Sequence, residues 1–261
     1  MDFKKFYEEQ SDYKAFREDP DRQNEYRIKT DWKARQLVSL LPAGTDPENI
    51  LEIGCAMGIL LNNIAERLSV KDYYGLDISE KNIDKARTLF PEGYFYQGVV
   101  DEFARLMSSE FSFSKFDLVI LSDIIEHIPD DLGFMKSVSR ISRLVLVNLP
   151  LEKAFKNRNR NYGESDHSGH LRCYDEKDAF HLFTNAGYEI LGSFTVNPLT
   201  DKQYFSFNEK ARAERIRKKS LPRRIFWTLY YPLEDRLKYM NKGIYESIYG
   251  TNMFALLKPG N

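Results

Sequence analysis

The chain has 261 residues, 42% of them hydrophobic and 30% charged, with a net charge of −1. That is enough to bury a substantial core in one large domain or a domain with an added cap, and the balanced charge makes no global demand for nucleic acid or an anionic membrane. Two cysteines, Cys55 and Cys173, are too few for a disulfide framework. They fit a reducing, cytoplasmic setting, as do a charged opening unlike a secretory leader and the lack of an apolar run of about 20 residues.

Residues 2–30 are charged and aromatic, divided at Asp19-Pro20-Asp21. A helix is expected over 31–41, with Trp32, Leu37, Leu40 and Leu41 near one face. Residues 1–45 thus read as an N-terminal helical lid or a cover for a sheet edge. An α/β alternation follows the turn at Pro42–Pro47. A strand over 50–53 meets Glu52-Ile53-Gly54-Cys55-Ala56-Met57-Gly58 and then a helix over 59–68. The next strand, 73–77, ends in Asp77 and leads to a helix over 80–89 with Ser79 as its N-cap. A short strand over 94–97 and a helix over 102–108 come next. The strand over 116–121 is almost continuously apolar, as a central parallel strand is. A helix over 130–142, a strand over 144–149 and a polar, irregular stretch over 151–173 follow. A helix over 175–186, closed by Gly187, precedes a strand over 188–196, and a last strand is expected over 251–257. Strands and helices alternating at these spacings predict a doubly wound, Rossmann-like α/β sheet, mostly parallel. The sheet domain covers 46–197 and 251–261; residues 198–250 are inserted before the last strand as a cap.

The strand, glycine turn and helix at 50–68 bring backbone N–H groups at a helix N-terminus close to a ligand. The pattern Glu-x-Gly-x-x-x-Gly differs from the Gly-x-Gly-x-x-Gly of dinucleotide binders. Asp77 stands at the offset of an acid that accepts hydrogen bonds from ribose hydroxyls.

The turn 52–58, Gly75-Leu76-Asp77-Ile78-Ser79, the run 116–128 through Ser122-Asp123-Ile124-Ile125-Glu126-His127, and Gly169-His170-Leu171-Arg172-Cys173-Tyr174 occur in an ordered series. The series resembles class I S-adenosylmethionine-dependent methyltransferases, in their small-molecule branch, over residues 48–196. The resemblance implies a seven-stranded sheet whose last strand is antiparallel. It also implies that Glu52 and Gly54 hold the methionine end of S-adenosylmethionine, that Cys55, Ala56 and Gly58 shape the turn, and that Asp77 binds the ribose. Ile78 would pack on the adenine, joined by Val99, with Asp101 or a main-chain group taking the adenine amine. Ser122 and Asp123 would line the cofactor near its sulfonium. Two departures stand out: Ala56 and Met57 fit the turn only if neither is left-handed, and Gln97-Gly98-Val99-Val100-Asp101 lacks the family's Gly-Asp.

Of four histidines, His127 falls at the mouth of the expected site and could serve as a general base or as a structural histidine. His167 and His170, in the polar loop, could contribute a base or a substrate contact; His181 lies on a helix face. No metal is expected: Asp166, His167 and His170 match no closed site, and Asp130 and Asp131 suit the start of the next helix. The cap carries a basic run (Lys210, Arg212, Arg215, Arg217, Lys218, Lys219, Arg223, Arg224) and then Phe226, Trp227, Tyr230 and Tyr231. The run reads as a solvated helix face or as a contact for an anionic substrate. The aromatics read as cap core, a dimer contact, a sugar-stacking surface or a peripheral membrane contact.

The reading that follows is an enzyme that methylates a small-molecule acceptor, with a hydroxyl on a sugar, glycan or natural-product intermediate first and a nitrogen next. RNA methylation through the basic cap would bring steep salt dependence and is disfavoured by the charge balance. A catalytically silent, partner-binding protein is the third reading. A monomer or a homodimer is compatible with all of them.

Overall fold

The computed structural model describes residues 3–10, 12–198, 204, 212–240 and 242–260. Seven strands form one sheet: β1 (Asn49–Ile53), β2 (Asp72–Asp77), β3 (Tyr94–Gln97), β4 (Phe116–Ser122), β5 (Ser142–Leu151), β6 (Tyr188–Val196) and β7 (Thr251–Pro259). Their order is β3-β2-β1-β4-β5-β7-β6. The first five strands pair in parallel and β7 runs antiparallel to both neighbours, which is the expected doubly wound sheet.

Helices cover both faces. One apolar layer joins α3 (Pro20–Val38), α4 (Ile59–Leu68) and α5 (Glu80–Leu89) to the sheet through Leu37, Leu61, Ile64 and Ile83. The other joins α6 (Val100–Glu110), α7 (Asp131–Ile141) and α8 (Glu176–Asn185) through Phe103, Met135, Val138 and Phe183. Both layers are needed because β1 and β4 are apolar on both sides and buried almost throughout.

The N-terminal region departs from expectation in one respect. The helix expected over 31–41 is the second half of the 19-residue α3. The Asp19-Pro20-Asp21 break is its start. Asp19 Oδ1 accepts from the amides of Asp21 (2.8 Å) and Arg22 (3.3 Å), and Pro20 opens the first turn. Leu40 and Leu41 lie past its end. Ahead of it come α1 (Phe3–Lys5), a π-helical turn (Phe6–Gln10) and α2 (Asp12–Glu18).

In the inserted region, 212–217 is helical and is followed by α9 (Leu221–Met240) and α10 (Lys242–Tyr249). Lys210 of the basic run lies outside the described residues. No helix among the described residues is long and apolar enough to cross a membrane.

The register fixes where ligands bind. Ile53 pairs with Leu76 on one side and Leu121 on the other. The strand ends are therefore level, and the residues just after β1, β2 and β4 share one edge. Chain order diverges between β1 and β4, and an open α/β sheet binds its ligand in the crevice at such a point.

Candidate active site

A cleft of about 1420 Å³ opens there. Its wall includes Gly54, Asp77, Ile78, Asn82, Gly98, Val99, Asp101, Asp123, Ile124 and His127, together with Phe3, Tyr7 and Tyr13 from the N-terminal region.

The glycine turn is tied to β2 by its backbone. The amides of Gly54 and Cys55 both donate to the Leu76 carbonyl, at 2.7 and 3.1 Å. Gly54 has φ +77, and a Cβ there would lie 2.6 Å from Ile124 Cδ1; Gly58 (φ +72) precedes α4 in the left-handed region. Ala56 is also left-handed, with φ 47, contrary to the condition set for it from the sequence. Asp77 secures it: its Oδ2 accepts the Ala56 amide at 2.8 Å, while Oδ1 accepts from the Ser79 amide (2.9 Å) and Asn82 Nδ2 (3.3 Å). A carboxylate offers about four acceptor positions, so Asp77 is also a brace and does not have both oxygens free for a diol. Ser79 caps α5 as expected, accepting from the Asn82 amide at 3.2 Å.

Glu52 lies behind the turn, 3% exposed. Burial pushes its carboxyl up to about 8, opposed by the Leu61 amide and the Lys33 ammonium, and Oε2 has no hydrogen-bond partner. Lys33, on α3, pairs with Asp123. Asp123 is left-handed (φ 50), and its carboxylate leads into an asparagine relay. Asn148 Nδ2 donates to Asp123 Oδ1 (2.8 Å) and Ser122 Oγ (3.0 Å), and Asn148 Oδ1 accepts from Asn252 Nδ2 (2.9 Å).

The N-terminal region closes one side. Arg17 donates to Asn82 Oδ1 (2.5 Å) and to the Glu8 carbonyl (2.7 Å), and Glu8 Oε1 accepts the Glu80 amide (3.1 Å). The Tyr7 and His127 rings meet edge to face, 5.8 Å between centroids. Burial raises the Tyr7 and Tyr13 hydroxyl pKa values, so both stay protonated.

After β4 a 3-10 turn (Ile125–His127) presents Glu126 and His127. His127 Nδ1 donates to the Gly169 carbonyl at 2.9 Å. Burial, then the neighbouring His170, lowers the His127 pKa to about 4; it is a neutral acceptor at physiological pH and a weak free base. His170 Nδ1 lies 2.7 Å from Glu152 Oε2, and the two imidazoles are 4.7 Å apart. His167 is not gathered with them: its side chain is 85% exposed. Asp166 is committed to the loop, accepting from Arg160 through both oxygens (2.7 Å each) and from the amides of Ser168 (3.0 Å) and His170 (3.2 Å). Asp130 caps α7 by accepting the Gly133 amide at 2.9 Å, and Asp131 pairs with Arg172 and Tyr174.

A second cavity, about 530 Å³, lies beyond β5 and under the inserted region. It is lined by Glu152, Lys156, Asn197, Arg215, Trp227, Tyr230, Tyr231, Glu234 and Asn252, among others. Arg212 also borders it but is spent on Asp235 (2.9 Å) and Glu234 (3.2 Å). Arg223 and Arg224 are exposed beside Leu221, Ile225, Phe226, Leu229 and Leu233.

Of the residues singled out from the sequence, Gly54, Asp77, Ile78, Val99, Asp101, Asp123 and His127 reach the larger cleft. Glu52, Cys55, Ala56, Gly58 and Ser122 stand behind it, and His170 sits beside His127. The sequence reading missed Lys33, Asn82, Asn148, Glu152 and Asn252. Asn148 alone left a signal, as a polar residue inside the apolar run Leu144–Leu149.

The family profile described as "Methyltransferase domain" matches residues 21–192. The chain is 29% identical over 120 residues to a ubiquinone biosynthesis O-methyltransferase of Aromatoleum aromaticum, covering 44% of this chain and 46% of that protein. It is 24% identical over 139 residues to the O-methyltransferase resE of Aspergillus sclerotiorum, covering 52% of each. The chain thus spans about half the length of these curated relatives. Among solved structures, the Haloferax volcanii methyltransferase chain in complex with the Trm112 activator superposes with a TM-score of 0.62 at 13% identity, over 96% of this chain and 99% of that one; that likeness concerns the fold.

Proposed function

Since the chain belongs to the S-adenosylmethionine-dependent methyltransferase family, we propose that it methylates a hydroxyl oxygen of a small-molecule acceptor, on a sugar, a glycan or a natural-product intermediate. The cofactor supplies an electrophilic methyl group and its own leaving group. The residues fit it. Glu52 keeps a buried, unpartnered oxygen suited to the cofactor's ammonium, and Gly54 leaves a cradle that a Cβ would fill. Asp77 keeps one acceptor position for a ribose hydroxyl, Ile78 and Val99 offer apolar surface to the adenine, and Ser122 and Asp123 border the methyl end.

The observation that carries the acceptor side is the second cavity, joined to the first by the relay Asn252–Asn148–Asp123. Its lining of tyrosines, Trp227, asparagines and paired charges suits a polar, ring-containing molecule that stacks and hydrogen-bonds. The two O-methyltransferases among the curated relatives favour oxygen over nitrogen. In this reading residues 1–45 are the lid, 46–197 and 251–261 the cofactor domain, and 198–250 the cap that selects the acceptor. Binding aligns the hydroxyl with the methyl group, and the hydroxyl proton leaves to water at the end of the cleft that His127 lines.

Calorimetry with S-adenosylhomocysteine tests the donor half: binding is expected, and Asp77→Ala weakens it. Absence of binding, or an Asp77→Ala variant like wild type, overturns it. For the acceptor half, the enzyme is incubated with S-adenosylmethionine and hydroxylated sugars or phenolic acceptors. An O-methyl product whose formation falls with Asn252→Leu supports the reading, and transfer only to nitrogen overturns it.

A further inference from the structure

Glu126 is 1% exposed and neither carboxylate oxygen has a hydrogen-bond partner. Such a group is costly in a protein interior unless something positive or protic faces it. What faces it is two imidazoles that spend their Nδ1 atoms elsewhere. His127 Nδ1 points at the Gly169 carbonyl (2.9 Å), which only accepts, so Nδ1 carries the proton and Nε2 keeps its lone pair. His170 Nδ1 donates to Glu152 Oε2 (2.7 Å), which leaves Nε2 as the nitrogen that can coordinate. One donor atom from each of Glu126, His127 and His170 lies within 4.8 Å of the others, and His127 Nε2 is 3.8 Å from Glu126 Oε1.

We propose that Glu126, His127 and His170 form a binding site for a divalent transition-metal cation between the two cavities. Donors bound at about 2.1 Å to one ion stand about 3–4 Å apart, so side-chain rotation closes the site. The outer layer is already built. Ligand histidines donate their other ring N–H to a carboxylate or a carbonyl, as both do here. Glu152 is held by Arg160 Nη1 (2.8 Å), Arg160 by Asp166 (2.7 Å), and Asp166 accepts the His170 amide (3.2 Å). Two imidazole nitrogens and one carboxylate suit zinc, manganese, cobalt or ferrous iron better than calcium or magnesium.

This set is hidden in the sequence, where Asp166-His167-x-x-His170 is the more conspicuous cluster. Asp166 is instead an anchor for the loop and His167 points outward. The use of the site rests on the acceptor reading: His127 lines the larger cleft and Glu152 the smaller, so a hydroxyl entering from the cap side meets the open coordination positions. A cation there lowers the hydroxyl pKa, and the proton leaves to solvent water. His127 and His170 would then act as ligands, in place of the free bases expected from the sequence.

The test loads the chelator-treated full chain with Co²⁺ and follows ligand-field absorption and metal content after gel filtration. About one Co²⁺ per chain is expected. Glu126→Gln and His170→Ala should each lose it, Glu152→Gln should weaken it about 10–100-fold, and His167→Ala should leave it unchanged. S-adenosylhomocysteine affinity should persist in all four variants, which separates failure of this site from failure of the donor site. The proposal is overturned if wild type binds S-adenosylhomocysteine but retains no Co²⁺, or if the Glu126 and His170 variants keep the wild-type stoichiometry and spectrum. Should either variant unfold by circular dichroism, Glu152→Gln and His127→Gln carry the same comparison.

Discussion

Glu52 sets up a proton-linked binding reaction. Its carboxyl, pushed up to about 8, is protonated in the free native protein at neutral pH. If Oε2 receives the cofactor's ammonium, binding must ionise it. At about pH 6.5, with the ligand's own amine near 7.8, about 0.9 proton is released per molecule bound. Affinity should rise about tenfold per pH unit below 7. Calorimetry with S-adenosylhomocysteine in buffers of different ionisation enthalpy reads the release directly, as the slope of observed enthalpy against buffer enthalpy. Glu52→Gln should bring that slope close to zero and flatten the affinity profile. A wild-type slope near zero, or an equal slope in the variant, would refute the coupling. The same group makes a stability statement. Its native pKa lies above the unfolded value of 4.5, so its contribution is intact below about 4.5 and is lost as pH rises through about 8, roughly 5 kcal/mol in all. Chemical denaturation of the ligand-free protein should show that slope, and Glu52→Gln should remove it.

Asp77→Ala should lose cofactor affinity and also stability, by about 1–3 kcal/mol, because the Ala56 and Ser79 amides are left unpaired; urea titration without ligand isolates the second effect. Gly54→Ala forces a side chain to φ +77 and against Ile124; about 1–2 kcal/mol of strain should appear in the unfolding midpoint, with weaker cofactor binding by calorimetry. Asp166→Ala leaves Arg160 with Glu152 as its carboxylate partner and frees the amides of Ser168 and His170, which should cost about 1–3 kcal/mol and raise protease sensitivity within 151–173. The pairing depresses the Asp166 pKa, so its share of stability is present above the unfolded value near 3.8 and is lost only on strong acidification.

The sheet was legible because its strands announce themselves: β1, β4 and β5 are apolar runs, and Gly54, Asp77, Ser79 and Gly187 mark where elements change. The start of α3 was misread because Asp19-Pro20 signals a helix N-terminus as well as a break, and aromatic and charged residues hid its apolar face. The residues proposed for the donor side were legible because they directly follow strands. Lys33, Glu152 and Asn252 were not, since each matters only through a partner distant in sequence: Lys33 through Asp123, Glu152 through His170, Asn252 through Asn148. Ala56 was a miss of a different kind. A left-handed alanine is unfavourable on its own and becomes acceptable here because Asp77, 21 residues away, accepts its amide.

In the proposed reading, the same distinction lets one chain hold a common donor site and an individual acceptor site. The donor side is backbone geometry at level strand ends, braced by Asp77 and sealed by α3 and the N-terminal turns. It tolerates little change, since Gly54, Ala56 and Asp77 support one another. In the proposed reading the acceptor side is made of side chains from β5, β7, the 151–173 loop and α9. Trp227, Tyr230 and Tyr231 lie away from β1 and β4, so under the proposed function selectivity would change there while the donor site is preserved. Asn148 is where the two sides meet: it lies on a buried strand, yet its amide serves Ser122 and Asp123 on one side and Asn252 on the other. Asn148→Leu would keep the volume and remove the relay, leaving the Asp123 carboxylate to Lys33 alone. Donor binding should then survive while methyl transfer falls, a split between calorimetry and turnover that a general packing defect would not produce.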